Sequence, residues 1–97
     1  MKINNDCIRV VLNYIIENVE ITVDRDNKAD IKGISMLSVM NNLSTTYQKE
    51  EVVHAILYAS KYGLIDMQHI KDNSNINLST NHIYDVTPMG YKFLETE

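Results

Sequence analysis

One cysteine, one proline, three glycines and no tryptophan occur in this 97-residue chain. A lone cysteine forms no internal disulfide, which points to a reducing, cytoplasmic compartment. No apolar run approaches the roughly 18–20 residues needed to cross a bilayer, so no membrane partner is expected. The opening Met1-Lys2-Ile3-Asn4-Asn5-Asp6 lacks the long apolar stretch of a signal peptide. Basic residues are also scarce: 9 Lys and Arg stand against 13 Asp and Glu, a net charge of −4. That balance counts against strong DNA binding by a lone monomer, because phosphate neutralisation supplies much of such affinity. The distribution of charge matters more than its sum, so the balance does not exclude it.

What is present is ordinary for a soluble globular protein: 44% hydrophobic and 23% charged residues. The length fits one domain, residues 1–97. Asn4 is a good helix N-cap, with Ile3 and Ile8 spaced for a hydrophobic staple. Ile8, Val11, Leu12, Ile15, Ile16 and Val19 recur at helical spacing and define the buried face of a first helix. Arg9, Asn13 and Glu17 lie opposite. Residues 20–23 fit a short strand, 24–30 a polar connection, and Ile31-Lys32 a resumed extended path that supplies an edge strand to a later sheet.

A second helix opens at Gly33 or Ser35 and ends at Asn41-Asn42. Leu43 to Thr46 is a turn, rich in groups that bond locally. A third helix runs from about Tyr47, with Glu50 and Glu51 suiting the positive end of its dipole. Val52, Ile56 and Ala59 are its inner stripe, flanked by Val53, Ala55 and Ser60. Gly63 is placed to be the left-handed residue after that helix, with Leu64 packing back. Leu64 to Ile70 alternates like a strand, Lys71 to Asn75 is a turn by composition, and Ile76 to Val86 supplies the return strand. Thr87 caps a last helix with Pro88 at its first position, pinned by Tyr91, Phe93 and Leu94. The pattern predicts an α+β winged helix-turn-helix: a three-helix core, a small antiparallel β wing and a short C-terminal helix.

Three segments also carry a resemblance. Met1 to Arg9 running into an amphipathic helix, Tyr47 to Ile65, and Thr87-Pro88-Met89-Gly90-Tyr91-Lys92-Phe93-Leu94 together resemble an uncharacterised family of small proteins. That family is a domain of unknown function from low-GC Gram-positive bacteria and their phages and prophages. The likeness covers most of the chain except residues 20–46 and the wing tip. It implies a winged-helix fold and a phage or mobile-element context, with no agreed catalytic residues. This chain departs from the family pattern in its extended residue 20–34 segment and in the apolar Leu57.

Two surfaces are candidates for function. The outer face of the third helix presents Glu50, His54, Leu57, Tyr58 and Lys61, with Gln48 and Lys49 at its tip. In helix-turn-helix proteins this face enters the major groove, where Gln48 can read adenine and Lys49 can meet guanine or phosphate. The candidate DNA-contacting set is therefore Gln48, Lys49, His54, Tyr58, Lys61 and, on the wing, Lys71. Glu50 and Glu51 would repel phosphates, and the bland alternative is a solvated helix face. The wing also offers His69, Asn73, Asn75 and His82, although a solvated hairpin tip needs only such polar residues. The second candidate is a protein interface built from Val10 and Tyr14 on the first helix, and Leu57 and Tyr58 on the third. Off-core apolar pairs of this kind serve as self-association or partner surfaces; cover by a neighbouring element is the alternative.

Chemistry is not expected. Cys7 lies near a helix N-terminus, a position that can lower a thiol pKa, but no histidine is near it in sequence, and a structural thiol is the simpler reading. His54, His69 and His82 lack metal-ligand spacing. Asp24, Asp26 and Asp30 lack the closing Glu of an EF-hand. No Gly-rich phosphate loop, nucleophile elbow or carboxylate pair is present. The expectation is a non-enzyme without cofactor or metal. It binds either double-stranded DNA as a regulator, as a possible homodimer, or a protein partner as an acidic interaction module of the host-takeover or counter-defence kind.

Overall fold

In the computed structural model, residues 2–67 and 75–96 are described. Asn4 is extended and its side-chain oxygen accepts from the Cys7 N–H at 3.1 Å, so the chain turns helical at Asn5. The cap satisfies one of the donors that a first turn leaves without a partner. Helix α1 (Asn5–Asn18) buries Cys7, Ile8, Val11, Leu12 and Ile15, while Ile16 and Val19 are half-buried at the margin of the core. Of the two residues spaced for a staple, Ile8 is taken up by the core while Ile3 stays 47% exposed.

Among the described residues, strands β1 (Glu20–Val23) and β2 (Ala29–Lys32) pair with each other alone, in antiparallel register from Glu20↔Lys32 to Val23↔Ala29. The expected polar connection is therefore a hairpin, and it does not lend its strands to the later sheet. The Asp24 carboxylate accepts the N–H groups of Asp26 and Lys28, both at 2.9 Å. Asn27 takes a left-handed φ of 63°. These local bonds close the turn early enough for Ala29 to start a return strand.

A second sheet has the order β3-β5-β4 and is antiparallel throughout. Its members are β3 (Ile34–Ser35), β4 (Ile65–Met67) and β5 (His82–Val86). The strand expected to run from Ile76 is shorter at its start. There Asn77 uses its carboxamide oxygen to accept from the Ser79 N–H and hydroxyl, and its carbonyl accepts from the Asn81 side chain. Such local bonding competes with a ladder. The segment instead serves the next helix: the carbonyls of Asn81 and Leu78 accept the N–H groups of Met36 and Leu37.

Helix α2 (Met36–Leu43) is capped by Ser35, whose hydroxyl accepts from the Ser38 N–H. It runs past Asn42 to Leu43. Helix α3 (Lys49–Lys61) starts two residues later than expected, after an extended Gln48 that makes no side-chain cap bond. Its end follows the sequence closely. Gly63 has φ 70°, the Gly63 N–H donates to Ser60, and the Leu64 N–H donates to Ala59 at 2.8 Å. This pair of bonds is a Schellman closure, which a left-handed glycine permits without strain.

Helix α4 (Pro88–Glu95) is capped by Thr87, whose hydroxyl accepts from the Gly90 N–H. Phe93 and Leu94 pack half-buried on the core, but Tyr91 is 46% exposed and does not pin the helix. Gly90 takes that role. It is buried, and a Cβ there would overlap the Leu64 carbonyl oxygen. Similarly, a Cβ on Gly33 would lie 2.9 Å from the Tyr84 ring, so the link between β2 and β3 passes under that ring without a side chain.

The core lies between α1, α2, α3 and the inner side of the second sheet, around Leu12, Ile15, Met36, Val39, Val52, Ile56 and Ile83. The result is an α+β domain of four helices and two small antiparallel sheets among the described residues.

Candidate functional site on helix α3

Helix α3 owes its orientation to its inner stripe. Val52, Ala55, Ile56 and Ala59 are buried, which turns Glu50, His54 and Lys61 away from the core at about 100° per residue, while Leu57 lies at its margin. Gln48, Lys49 and Lys61 are exposed, whereas His54, Leu57 and Tyr58 are half-buried. Tyr58 packs at the margin of the core and lies against Tyr62 with ring centroids 4.5 Å apart. Lys71, with His69 and Asn73, lies outside the described residues. His82 is half-buried on β5, its Nδ1 3.2 Å from the Thr80 carbonyl oxygen.

Between α2 and α3 the outward face is concave. Met40, Lys49, Glu50, Val53, His54 and Leu57 line a shallow cleft of about 390 Å³. Its floor is apolar, from Met40, Val53 and Leu57, and its rim carries Lys49, His54 and the opposing Glu50. Val53 and Met40 were not among the sequence candidates. Val53 flanks the inner stripe in the helical count, and Met40 enters from the neighbouring helix.

The two glutamates of the first turn part company. Glu51 accepts from the Asn4 carboxamide N–H at 3.0 Å, and its backbone carbonyl accepts from the Cys7 thiol at 3.7 Å. It ties α3 to the start of α1 and is not free to face a ligand on the outer side. Glu50 remains exposed at the cleft. The Cys7 thiol is fully buried. Burial first, and the Glu51 charge second, push its pKa up to about 11. Desolvation outweighs the helix N-terminus, so the lowering that such a position can bring is not found.

Lys49 and Lys61 stand at opposite ends of α3, about 18 Å apart along its axis at 1.5 Å per residue. Lys92 is on α4, which packs on α1 and β5. Of the first-helix pair, Tyr14 packs half-buried against the core and Val10 is half-buried. Among the described residues no group of three or more His, Cys, Asp or Glu side chains gathers to hold a metal. No helix there is long and apolar enough to cross a membrane. Compared with known protein families, with curated proteins and with solved structures, the chain finds no match in any of the three.

Proposed function

We propose that the chain is a winged-helix protein-interaction module whose α2–α3 face seats an apolar segment of a partner protein. The winged-helix reading is supported by the strand order β3-β5-β4, with α2 and α3 inserted between β3 and β4. The observation that carries the interaction reading is the apolar floor of Met40, Val53 and Leu57 on the outward side of α3. A helix face that tracks a duplex is polar and basic, because it must meet phosphates and base edges. Here the same face offers hydrocarbon flanked by one lysine, one histidine and one glutamate. An apolar pocket with a charged rim suits insertion of apolar anchors from a partner, with rim charges setting orientation.

The second reading is a DNA-binding regulator, and one observation favours it. Glu51 is diverted to Asn4, which removes one of the two carboxylates that would repel phosphates, while Gln48 and Lys49 stay exposed at the tip of α3. The resemblance described above adds a phage or prophage setting to either reading.

Fluorescence anisotropy with a generic duplex at low and physiological salt separates the two. The interaction reading expects no salt-steep binding, together with a protein partner whose capture is lost on Leu57→Lys in a variant that still melts cooperatively. Binding that falls steeply with salt, as counterion release requires, or partner capture unaffected by Leu57→Lys, overturns it.

A further inference from the structure

The β1–β2 hairpin has a surface that the α3 site does not use. All eight of its strand residues are exposed. Because side chains alternate along a strand, Ile21 and Val23 share one side with their partners Ile31 and Ala29. Ile21 is 68%, Val23 66% and Ile31 43% exposed. Among the described residues, the root of this side meets the domain at a crevice of about 70 Å³ that Ile21 and Ile31 share with Tyr84 and Tyr91. A two-stranded ribbon with a bare apolar side is marginal in water by itself.

We propose that the edge of β2 turned away from β1, unpaired among the described residues, pairs antiparallel with β2 of a second copy, joining two ribbons into one four-stranded sheet. The backbone phase decides where this can happen. The Asp24 N–H donates to the Lys28 carbonyl at 3.0 Å, which places Asp24 and Lys28 at a bonded-type position of the ladder, although the Lys28 N–H itself turns to the Asp24 carboxylate. Bonded and non-bonded pairs alternate in an antiparallel ladder. Counting inward, Val23–Ala29 and Ile21–Ile31 are non-bonded pairs, and the N–H and C=O groups of Ala29 and Ile31 point away from β1, to the open edge.

A two-fold axis through either Ala29 or Ile31 lets those groups bond their counterparts. About Ile31, Asp30 lies opposite Lys32 of the second copy. About Ala29, it lies opposite Lys28. Both registers therefore set opposite charges across the new ladder, twice by symmetry. The outer edge of β1 offers nothing comparable. An axis through Ile21 sets Glu20 against Thr22, and one through Val23 sets Glu20 against Asp26.

Antiparallel pairing also lays the bare tip of one ribbon beside the root of the other. There the exposed Tyr84 and Tyr91 rings of the second copy extend the apolar side. The partner is thus another copy of this chain, and the inference is independent of what α3 binds.

Sedimentation equilibrium over the micromolar range tests it, with far-UV circular dichroism to check folding. The expected result is a reversible dimer. Ile31→Pro should abolish pairing about Ile31, and Ala29→Pro pairing about Ala29, since each deletes an edge donor that β1 does not use; one of the two must abolish the dimer. Ile21→Pro, the same change at the other end of the Ile31 cross-strand pair, should leave the dimer. Asp30→Lys should weaken association about tenfold, the scale of two cross-strand charge pairs made repulsive. A monomer throughout the range, or a dimer that survives both Ile31→Pro and Ala29→Pro as it survives Ile21→Pro, overturns the proposal.

Discussion

The Arg9 guanidinium lies 5.2 Å from the centroid of the Phe93 ring. From there it donates to the carbonyls of Leu94 and Thr96 at the end of α4. One side chain of the first helix thus closes the last one, with a cation at the negative end of its dipole. Arg9→Ala should destabilise the fold by about 1–2 kcal/mol, from the lost charge-assisted bonds and the ring contact. Urea denaturation reads the loss, and hydrogen exchange should show it concentrated in residues 88–95. Uniform exchange across the chain would contradict the assignment.

Gly90→Ala removes the close approach of α4 to the Leu64 carbonyl. Helix propensity alone favours alanine by about 1 kcal/mol. Overlap with backbone has no flexible group to absorb it, so a net loss of about 1–3 kcal/mol is expected. Gly63→Ala should cost about 1–2 kcal/mol for a different reason, the left-handed φ, since nothing crowds a Cβ there.

Cys7 should resist thiol reagents at pH 8 in the folded protein, reacting at the rate of opening. Its folded pKa, about 11, lies above the roughly 8.5 of an unfolded thiol. The folded state therefore favours the proton. The associated stability is full below about pH 8.5 and is lost as pH rises through the folded value. Titrating the urea midpoint from neutral to strongly alkaline pH should reveal that decline, and Cys7→Ala should flatten its Cys7 component.

Asn4→Ala removes two bonds at once, the cap to Cys7 and the link to Glu51. A cap is worth about 1 kcal/mol. Glu51→Gln should cost less than Asn4→Ala, because its remaining side-chain oxygen can still accept. Equal losses would mean that the glutamine does not keep the link and that the cap contributes little beside it.

The parts legible in the sequence are those set by a few neighbouring residues. Asn4, Thr87-Pro88 and Gly63 act through local hydrogen bonds or a single dihedral angle, and they fall where expected. The hairpin was missed because its turn depends on Asp24 bonding two later N–H groups, in a run that reads only as polar. Asn77 to Asn81 was misread because periodicity there is weaker than the side-chain bonds that override it. Arg9 looked like a solvated residue, since its partners are far along the chain and become neighbours only once α4 has docked. The exposed tip of α3 was legible, but its cleft was not. Met40 belongs to another helix, and no count along α3 finds it.

The Tyr84 ring beside Gly33 also supplies an internal spectroscopic gauge. A proton held against an aromatic face experiences a ring current, so the Gly33 α protons should differ in chemical shift from those of Gly63, which stands in open space. Gly33 joins the projecting ribbon to the sheet. Any swing of the ribbon, whether from thermal motion or from a second copy arriving, would move that signal before it disturbed the core. One glycine resonance would then follow the ribbon in real time, with no label attached to the protein.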